Sequence, residues 1–210
     1  MPKKILIADD HPIIRMGVKQ ICEREYPGVQ FGDAVNYAEV CQQLKEKDWD
    51  LLILDLDMPG RNGLDILKQI KANKNKLPVL IFSFHNEGQI VLRALKTGAA
   101  GYITKDVANK ELTKAIDQVL NGRKYVSQSL SETLLTFLDG DSSKEPHELL
   151  SNREYQVLLL IASGKTVTEI SAMLSLSPPT VSTYRTRLLE KLKLKNNAEL
   201  TVYAINQKLL

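Results

Sequence analysis

The chain has no long hydrophobic run. Its longest, residues 157–162, is six residues, whereas a bilayer-spanning helix needs about 20. The apolar run that opens at Ile5 is broken by Asp9. That is too short for the core of a signal peptide, and no small-residue cleavage site follows it. Cysteine is scarce as well: Cys22 and Cys41 are the only two, too few for a disulfide framework and without metal-ligand spacing. Membrane insertion, secretion and a structural zinc site are therefore not expected, and the cytoplasm is the expected compartment. Nor is there an excess of charge of one sign, since 28 basic and 25 acidic residues leave a net +3. What is present is ordinary for a globular chain: 43% apolar and 25% charged residues over 210 positions, enough for one large domain or two small ones.

The distribution of charge is more informative than its sum. Residues 1–124 carry 19 basic against 16 acidic side chains, residues 125–146 carry 1 against 4, and residues 147–210 carry 8 against 5. Within the last stretch, residues 185–195 hold five basic side chains and one Glu, a local patch suited to a polyanion.

The first 124 residues alternate short apolar runs (3–8, 29–35, 51–54, 79–82 and 100–103) with amphipathic stretches of helical length (12–25, 37–47, 64–71, 89–96 and 108–120). Near-continuous apolar strands separated by helices predict a parallel sheet covered on both faces. The expected fold is α/β, a flavodoxin-like doubly wound five-stranded parallel sheet of order 2-1-3-4-5. A further helix is expected over 127–138, then an acidic, turn-rich linker over 139–146. Beyond it every periodic segment is helical. Ser151 caps a helix ended by Gly164, a short helix runs over 168–174, Ser177-Pro178 opens a third, and 197–207 forms the fourth. The expected division is 1–121, a connecting helix and linker at 122–146, and a second, all-α four-helix domain at 147–210.

Sites in such sheets form beyond the carboxyl ends of the strands, where strand order reverses. That rule gathers Asp9 and Asp10 after the first strand, Asp55 after the third, Ser83 at the fourth and Lys105 after the fifth. Three converging carboxylates would repel one another, and a hard divalent cation with oxygen ligands and retained waters, best Mg²⁺, resolves the conflict. A carboxylate can take a phosphoryl group as an acyl phosphate, with the ammonium of Lys105 neutralising phosphoryl oxygens. No His, Cys or Ser is placed beside a base as a nucleophile. Ser83 alone would be an ordinary loop hydroxyl and Tyr102 a core aromatic. His11 and His85 fall in loops and are expected to be solvated, and both cysteines are expected to be buried apolar thiols. Met58, Pro59, Gly60 and Gly63 shape the loop after Asp55.

The ordered set Asp9-Asp10, Asp55-Leu-Asp57-Met58-Pro59 with Gly63, Ser83, and Tyr102-Ile-Thr-Lys105 resembles a response-regulator receiver domain over residues 1 to 121. The resemblance implies that Asp55 is the phosphoacceptor and Asp10 a direct Mg²⁺ ligand. Asp9 would act mostly through water, and Asp57 through its backbone carbonyl. Ser83 and Tyr102 would form the switch pair and Lys105 the phosphate-binding cation. One departure is that Asp106, not the Pro many receivers carry, follows Lys105. Another is the carboxylate of Asp57, which with His85 would flank the phosphoryl site and set the lifetime of the acyl phosphate.

In the tail, a short helix, a brief turn at 175–177 and a longer basic helix form a helix-turn-helix pattern. Residues 149–205 resemble a LuxR-type DNA-binding domain, and the two halves together resemble the NarL/FixJ class of two-component response regulators. Helical spacing puts Val181, Leu188 and Leu192 on one stripe as core. Ser182, Thr183 and Thr186 fall opposite as base-edge readers, with Thr180, Tyr184, Arg187 and Lys191 toward phosphates. Arg185 lies beside the apolar stripe, where an ion pair and a DNA contact compete. The class implies a sensor histidine kinase, double-stranded DNA and RNA polymerase as partners, and a homodimer when phosphorylated. Either the first and fifth helices or the fourth helix with the fifth strand would pair the receivers, and Glu199, Val202 and Ile205 would pair the DNA-binding domains. A second reading stays open: residues 51–57 also fit the strand-DxD signature of haloacid dehalogenase-type phosphatases. In those the Asp nucleophile usually lies nearer the start.

Overall fold

The structure is a computed structural model, describing residues 3–58, 63–73, 76–86, 88–139, 146–207 and 209–210. It divides into two compact units, residues 1–140 and 141–210. In the first, β1 (Lys4–Ala8), α1 (Pro12–Glu25), β2 (Gln30–Ala34), α2 (Tyr37–Glu46), β3 (Leu51–Leu54) and α3 (Gly63–Ala72) alternate along the chain. They are followed by β4 (Val79–Ser83), α4 (Gly88–Thr97), β5 (Gly101–Thr104) and α5 (Ala108–Leu120).

The strands are parallel; β1, β3 and β4 are nearly all apolar because both faces are covered, whereas the edge strand β2 leaves Gln30 and Asp33 exposed. Ile5, Ile7, Leu51, Ile53, Leu80 and Phe82 join Val18 and Cys22 of α1 and Leu112, Ala115, Ile116 and Val119 of α5 in one cluster. The alternating residues Leu6, Leu52, Leu54 and Ile81 are just as buried, on the opposite side of the pleat. Cys22 is the buried thiol expected, its pKa pushed up to about 12 by burial and by Glu23. Cys41 is only half-buried, lining a groove between α2 and α3 with Val40, Ile66 and Ile70.

The sheet has six strands rather than five, in the order β2-β1-β3-β4-β5-β6. The added strand β6 (Tyr125–Val126) pairs Tyr125 with Gly101 and Val126 with Tyr102. Two residues carry no readable period, and the place is made by Gly101. A Cβ there would come 2.8 Å from the Tyr125 carbonyl oxygen and 2.9 Å from Leu80. The helix expected at 127–138 is α6 (Gln128–Asp139); it packs against α4 and its Leu130 is buried. Of the linker, residues 140–145 lie outside the described residues.

The second unit holds α7 (Asn152–Ala162), α8 (Val167–Leu174), α9 (Pro178–Leu192) and α10 (Asn197–Asn206), with α7 packed on both α9 and α10. Ser151 and Thr166 open α7 and α8 with reciprocal capping boxes to Glu154 and Glu169. α8 ends at Ser175 in the left-handed conformation (φ 52°), and Ser177 caps α9 with Pro at its first position. Val181, Leu188 and Leu192 are buried as expected. Among the described residues there is no cis peptide bond, and no helix is long and apolar enough to cross a membrane.

Candidate functional site

The sheet ladder runs one residue past β1 and β3. Asp9 N–H donates to the Ala34 carbonyl at 3.0 Å and Asp55 N–H to the Ala8 carbonyl at 2.8 Å, so both carboxylates leave the sheet from fixed backbone. Ser83 is the last residue of β4, and Lys105 follows β5. Gly63 closes the floor: its N–H meets the Leu56 carbonyl at 3.0 Å, and a Cβ would stand 2.5 Å from the Asp55 carbonyl oxygen. Pro59 and Gly60 lie outside the described residues.

Lys105 Nζ lies 2.8 Å from Asp9 Oδ2 and 2.8 Å from Asp55 Oδ2, and all three side chains are almost fully buried. The Phe84 ring, itself 63% exposed, covers the ammonium at 5.1 Å. Burial holds the Asp55 carboxyl above its ordinary range; Asp9 and Asp57 push the same way, while Lys105 opposes them. Burial works against the Lys105 charge too, yet Asp55 and Asp9 together raise its pKa. One ammonium thus serves two buried carboxylates, and the half-buried Asp10 adds a third carboxylate beside them. The second oxygen of Asp55, Oδ1, is buried with no hydrogen-bond partner. An anionic oxygen so placed is costly unless a cation meets it. Ligand atoms of Asp9, Asp10, His11 and Asp55 lie within 4.8 Å of one another, a set with the charge and oxygen content that Mg²⁺ takes.

Both loop histidines have acidic partners here, although His11 is as exposed as expected, at 58%, and His85 less so, at 27%. His11 Nδ1 sits 2.9 Å from Asp10 Oδ1 and 3.1 Å from Asp9 Oδ1. His85 Nε2 sits 3.0 Å from Asp57 Oδ2. The loop placement was legible but the pairing was not; its only sequence signal was an acidic residue one or two positions from His11. Ser83 is fully buried and its Oγ accepts from His85 N–H at 3.3 Å. Tyr102, also fully buried, donates its hydroxyl to the His85 carbonyl at 2.8 Å. Ser83, His85 and Tyr102 are therefore one hydrogen-bonded chain. Asp57 turns its carboxylate to His85 rather than into the Asp9–Asp55 group.

In the second unit Ser182, Thr183, Thr186, Arg187 and Lys191 are exposed on α9, with Thr180 and Tyr184 half-buried. Thr183 and Thr186 donate their hydroxyls to the Pro179 and Ser182 carbonyls, at 2.9 and 3.1 Å. Thr180 shares its hydroxyl with the cap Ser177 at 2.8 Å. Each of these hydroxyl oxygens can still accept a hydrogen bond. Arg185 resolves to a hydrogen bond, Nε to Asn197 Oδ1 at 2.5 Å, tying α9 to α10. Lys191, expected to face phosphate, places its ammonium 2.7 Å from the buried Glu154 carboxylate. Burial tends to raise the Glu154 pKa, but the bonds from Lys191 and Ser151 outweigh it and lower it. The Ser151-x-x-Glu154 spacing signalled the cap, not the lysine.

Comparison with known proteins covers both units. The family model described as response regulator receiver domain matches residues 5–117. That described as bacterial regulatory proteins, luxR family, matches residues 148–204. The chain is 32% identical over 203 residues to the response regulator UvrY of Escherichia coli (strain K12), covering 96% of this chain and 93% of that one. It is 33% identical over 210 residues to the nitrate/nitrite response regulator protein NarL of the same strain, covering 99% and 97%. A solved structure of RcsB from Salmonella enterica serovar Typhimurium, bound to promoter rprA with the phosphomimetic BeF3⁻, aligns with a TM-score of 0.67. Its identity is 29%, over 97% of this chain and 98% of that one.

Proposed function

The chain belongs to the NarL/FixJ class of two-component response regulators, a receiver domain with a LuxR-type DNA-binding domain, and we propose on that premise that phosphorylation of Asp55 controls its dimerisation on DNA. Proteins of this class regulate transcription and are not enzymes, so the phosphatase reading of residues 51–57 is set aside. The proposal rests above all on Asp55. One of its oxygens is held by Lys105 at 2.8 Å and the other, Oδ1, is buried without a partner. That is a nucleophile with one lone-pair face kept open.

A sensor histidine kinase is the donor. Asp55 Oδ1 forms the new O–P bond as the bond from phosphorus to the donor imidazole nitrogen breaks, and the electron pair leaves on that nitrogen. Asp9, Asp10 and Asp55 would hold Mg²⁺, which when bound neutralises charge on the phosphoryl oxygens. Lys105 meets a second of those oxygens. The Ser83 hydroxyl turns to a third, and because Ser83, His85 and Tyr102 are linked, the segment after β4 moves with it. The added charge of about −1.5 to −2 biases this two-state segment.

The phosphorylated form pairs through a receiver face, with α1 and α5 or α4 and β5 as the candidates. On α10, Val202 and Ile205 are 56% and 59% exposed and suit pairing of the DNA-binding units beside Glu199. Two α9 helices then enter half-sites about one DNA turn apart. Ser182, Thr183 and Thr186 read base edges, while Thr180, Tyr184, Arg187 and, on exchange from Glu154, Lys191 meet phosphates. RNA polymerase is the downstream partner and the cytoplasm the compartment. The test is incubation with acetyl phosphate and Mg²⁺: one phosphoryl group per chain, absent from Asp55→Asn, is expected. Multiple turnovers, or labelling that survives Asp55→Asn, would contradict the proposal.

A further inference from the structure

We propose that His11 is a ligand of the cation at the Asp9–Asp10–Asp55 site, and that the site consequently takes a first-row transition dication such as Mn²⁺ more tightly than Mg²⁺. This rests on the reading of that cluster as the metal site of the receiver.

His11 ends the β1 loop as the residue before α1, in extended conformation, and its side chain makes no cap hydrogen bond to the helix. The helix start therefore does not account for where the ring points. Instead Nδ1 faces the acidic group, 2.9 Å from Asp10 Oδ1 and 3.1 Å from Asp9 Oδ1. Ligands to a divalent ion with bonds near 2.1 Å lie about 3.0 Å apart along the cis edge of an octahedron. The ring nitrogen thus already stands at the spacing of two neighbouring ligands.

Two further features fit a cation between these atoms rather than hydrogen bonds alone. Asp55 Oδ1 is buried without a hydrogen-bond partner in a side chain 2% exposed, and Asp55 offers a carboxylate oxygen to the same group of ligand atoms as His11. Lys105, the one ammonium in contact among the described residues, is taken up by the Oδ2 atoms of Asp9 and Asp55. That leaves Asp10 Oδ1, and Asp9 Oδ1 which also accepts from the His11 backbone N–H at 2.9 Å, facing the imidazole. Coordination uses the Nδ1 lone pair, so the ring proton resides on Nε2. The His11 side chain is 58% exposed, which gives water access to that proton. Three carboxylates suit Mg²⁺ and Mn²⁺ alike, but an imidazole nitrogen adds far more to a transition ion than to Mg²⁺.

The experiment uses the full chain loaded with Mn²⁺ alone, read by pulsed electron paramagnetic resonance, with Mg²⁺ competition giving the affinity ratio. Wild type is expected to show the coupling of one directly bound nitrogen. His11→Ala should lose it and lower the Mn²⁺-over-Mg²⁺ preference at least about tenfold, while His85→Ala should keep it. No nitrogen coupling in wild type, coupling that persists in His11→Ala, or an unchanged affinity ratio would each overturn the proposal. Labelling of wild-type Asp55 by acetyl phosphate with Mg²⁺ is followed in parallel. Labelling without nitrogen coupling overturns the His11 ligand alone, whereas failure of labelling overturns the phosphoacceptor reading.

Discussion

His85 Nε2 lies 3.0 Å from one carboxylate oxygen of Asp57 and 3.2 Å from the other. Both side chains sit two residues beyond a phosphoryl-site group, Asp57 after Asp55 and His85 after Ser83. The pair is expected to orient water and accept its proton during hydrolysis of the acyl phosphate. We expect Asp57→Asn to slow loss of phosphate from Asp55 at least about threefold, well below the 10²–10⁴ of an ideally placed general base, and His85→Ala to act in the same direction. Equal dephosphorylation rates in wild type and Asp57→Asn would remove the pair from any part in lifetime.

The buried charge of Asp55 weakens the fold when no cation is bound. Burial, with Asp9 and Asp57, raises its pKa in the folded protein. The folded state therefore gains from this group only where the carboxyl is protonated, and loses that gain as pH rises through the folded pKa. In metal-free buffer at pH 7, Asp55→Asn should be more stable by about 1 kcal/mol, a rise of ~2–4 °C in melting temperature. The gap should close below the ordinary carboxyl pKa of 3.8. Calorimetry across pH checks the sign, and a destabilised Asp55→Asn at pH 7 would refute it.

Lys191 serves the second unit's fold as well as its charge. Its partner Glu154 has a side chain only 4% exposed, whereas Lys191 is 43% exposed. Deleting the ammonium leaves a nearly buried carboxylate short of a partner, a loss expected at about 1–2 kcal/mol after solvent screening. The Glu154 pKa is lowered in the fold, so the stabilisation is present above the ordinary value of 4.5 and is lost as pH falls through the folded pKa. Chemical denaturation of Lys191→Ala should show this loss at pH 7, and the loss should shrink as pH falls below 4.5.

On DNA, Arg187 and the hydroxyl residues should separate. Arg187→Ala is expected to weaken binding to all sequences alike and reduce the salt slope by about 1. Thr183→Ala should instead weaken binding at particular base positions with the slope unchanged. Salt titrations on specific and random duplexes distinguish them. A loss at Arg187 confined to one operator would reassign it to base reading.

Much of this arrangement was legible in the residues. Asp9, Asp10, Asp55, Ser83 and Lys105 each follow an apolar run, so the rule about strand ends is enough to bring them together. Val181, Leu188 and Leu192 announced their stripe by spacing alone. What escaped was set by tertiary contact. β6 is two residues long and exists because Gly101 lets the Tyr125 backbone approach. The partners of His11, His85 and Lys191 depend on which carboxylate the fold brings near. Lys191 and Glu154 are 37 positions apart, beyond the reach of any local pattern. Helical period likewise put Arg185 beside the apolar stripe without showing Asn197 across from it.

Phosphate on Asp55 is expected to govern assembly on DNA. Light scattering and duplex binding of the full chain, with and without acetyl phosphate and Mg²⁺, measure it directly. The expected result is a phosphodonor-dependent shift from monomer to dimer with tighter binding to paired half-sites, both absent in Asp55→Asn. A mass and an affinity that ignore the phosphodonor, or an Asp55→Asn variant that responds like wild type, would contradict it.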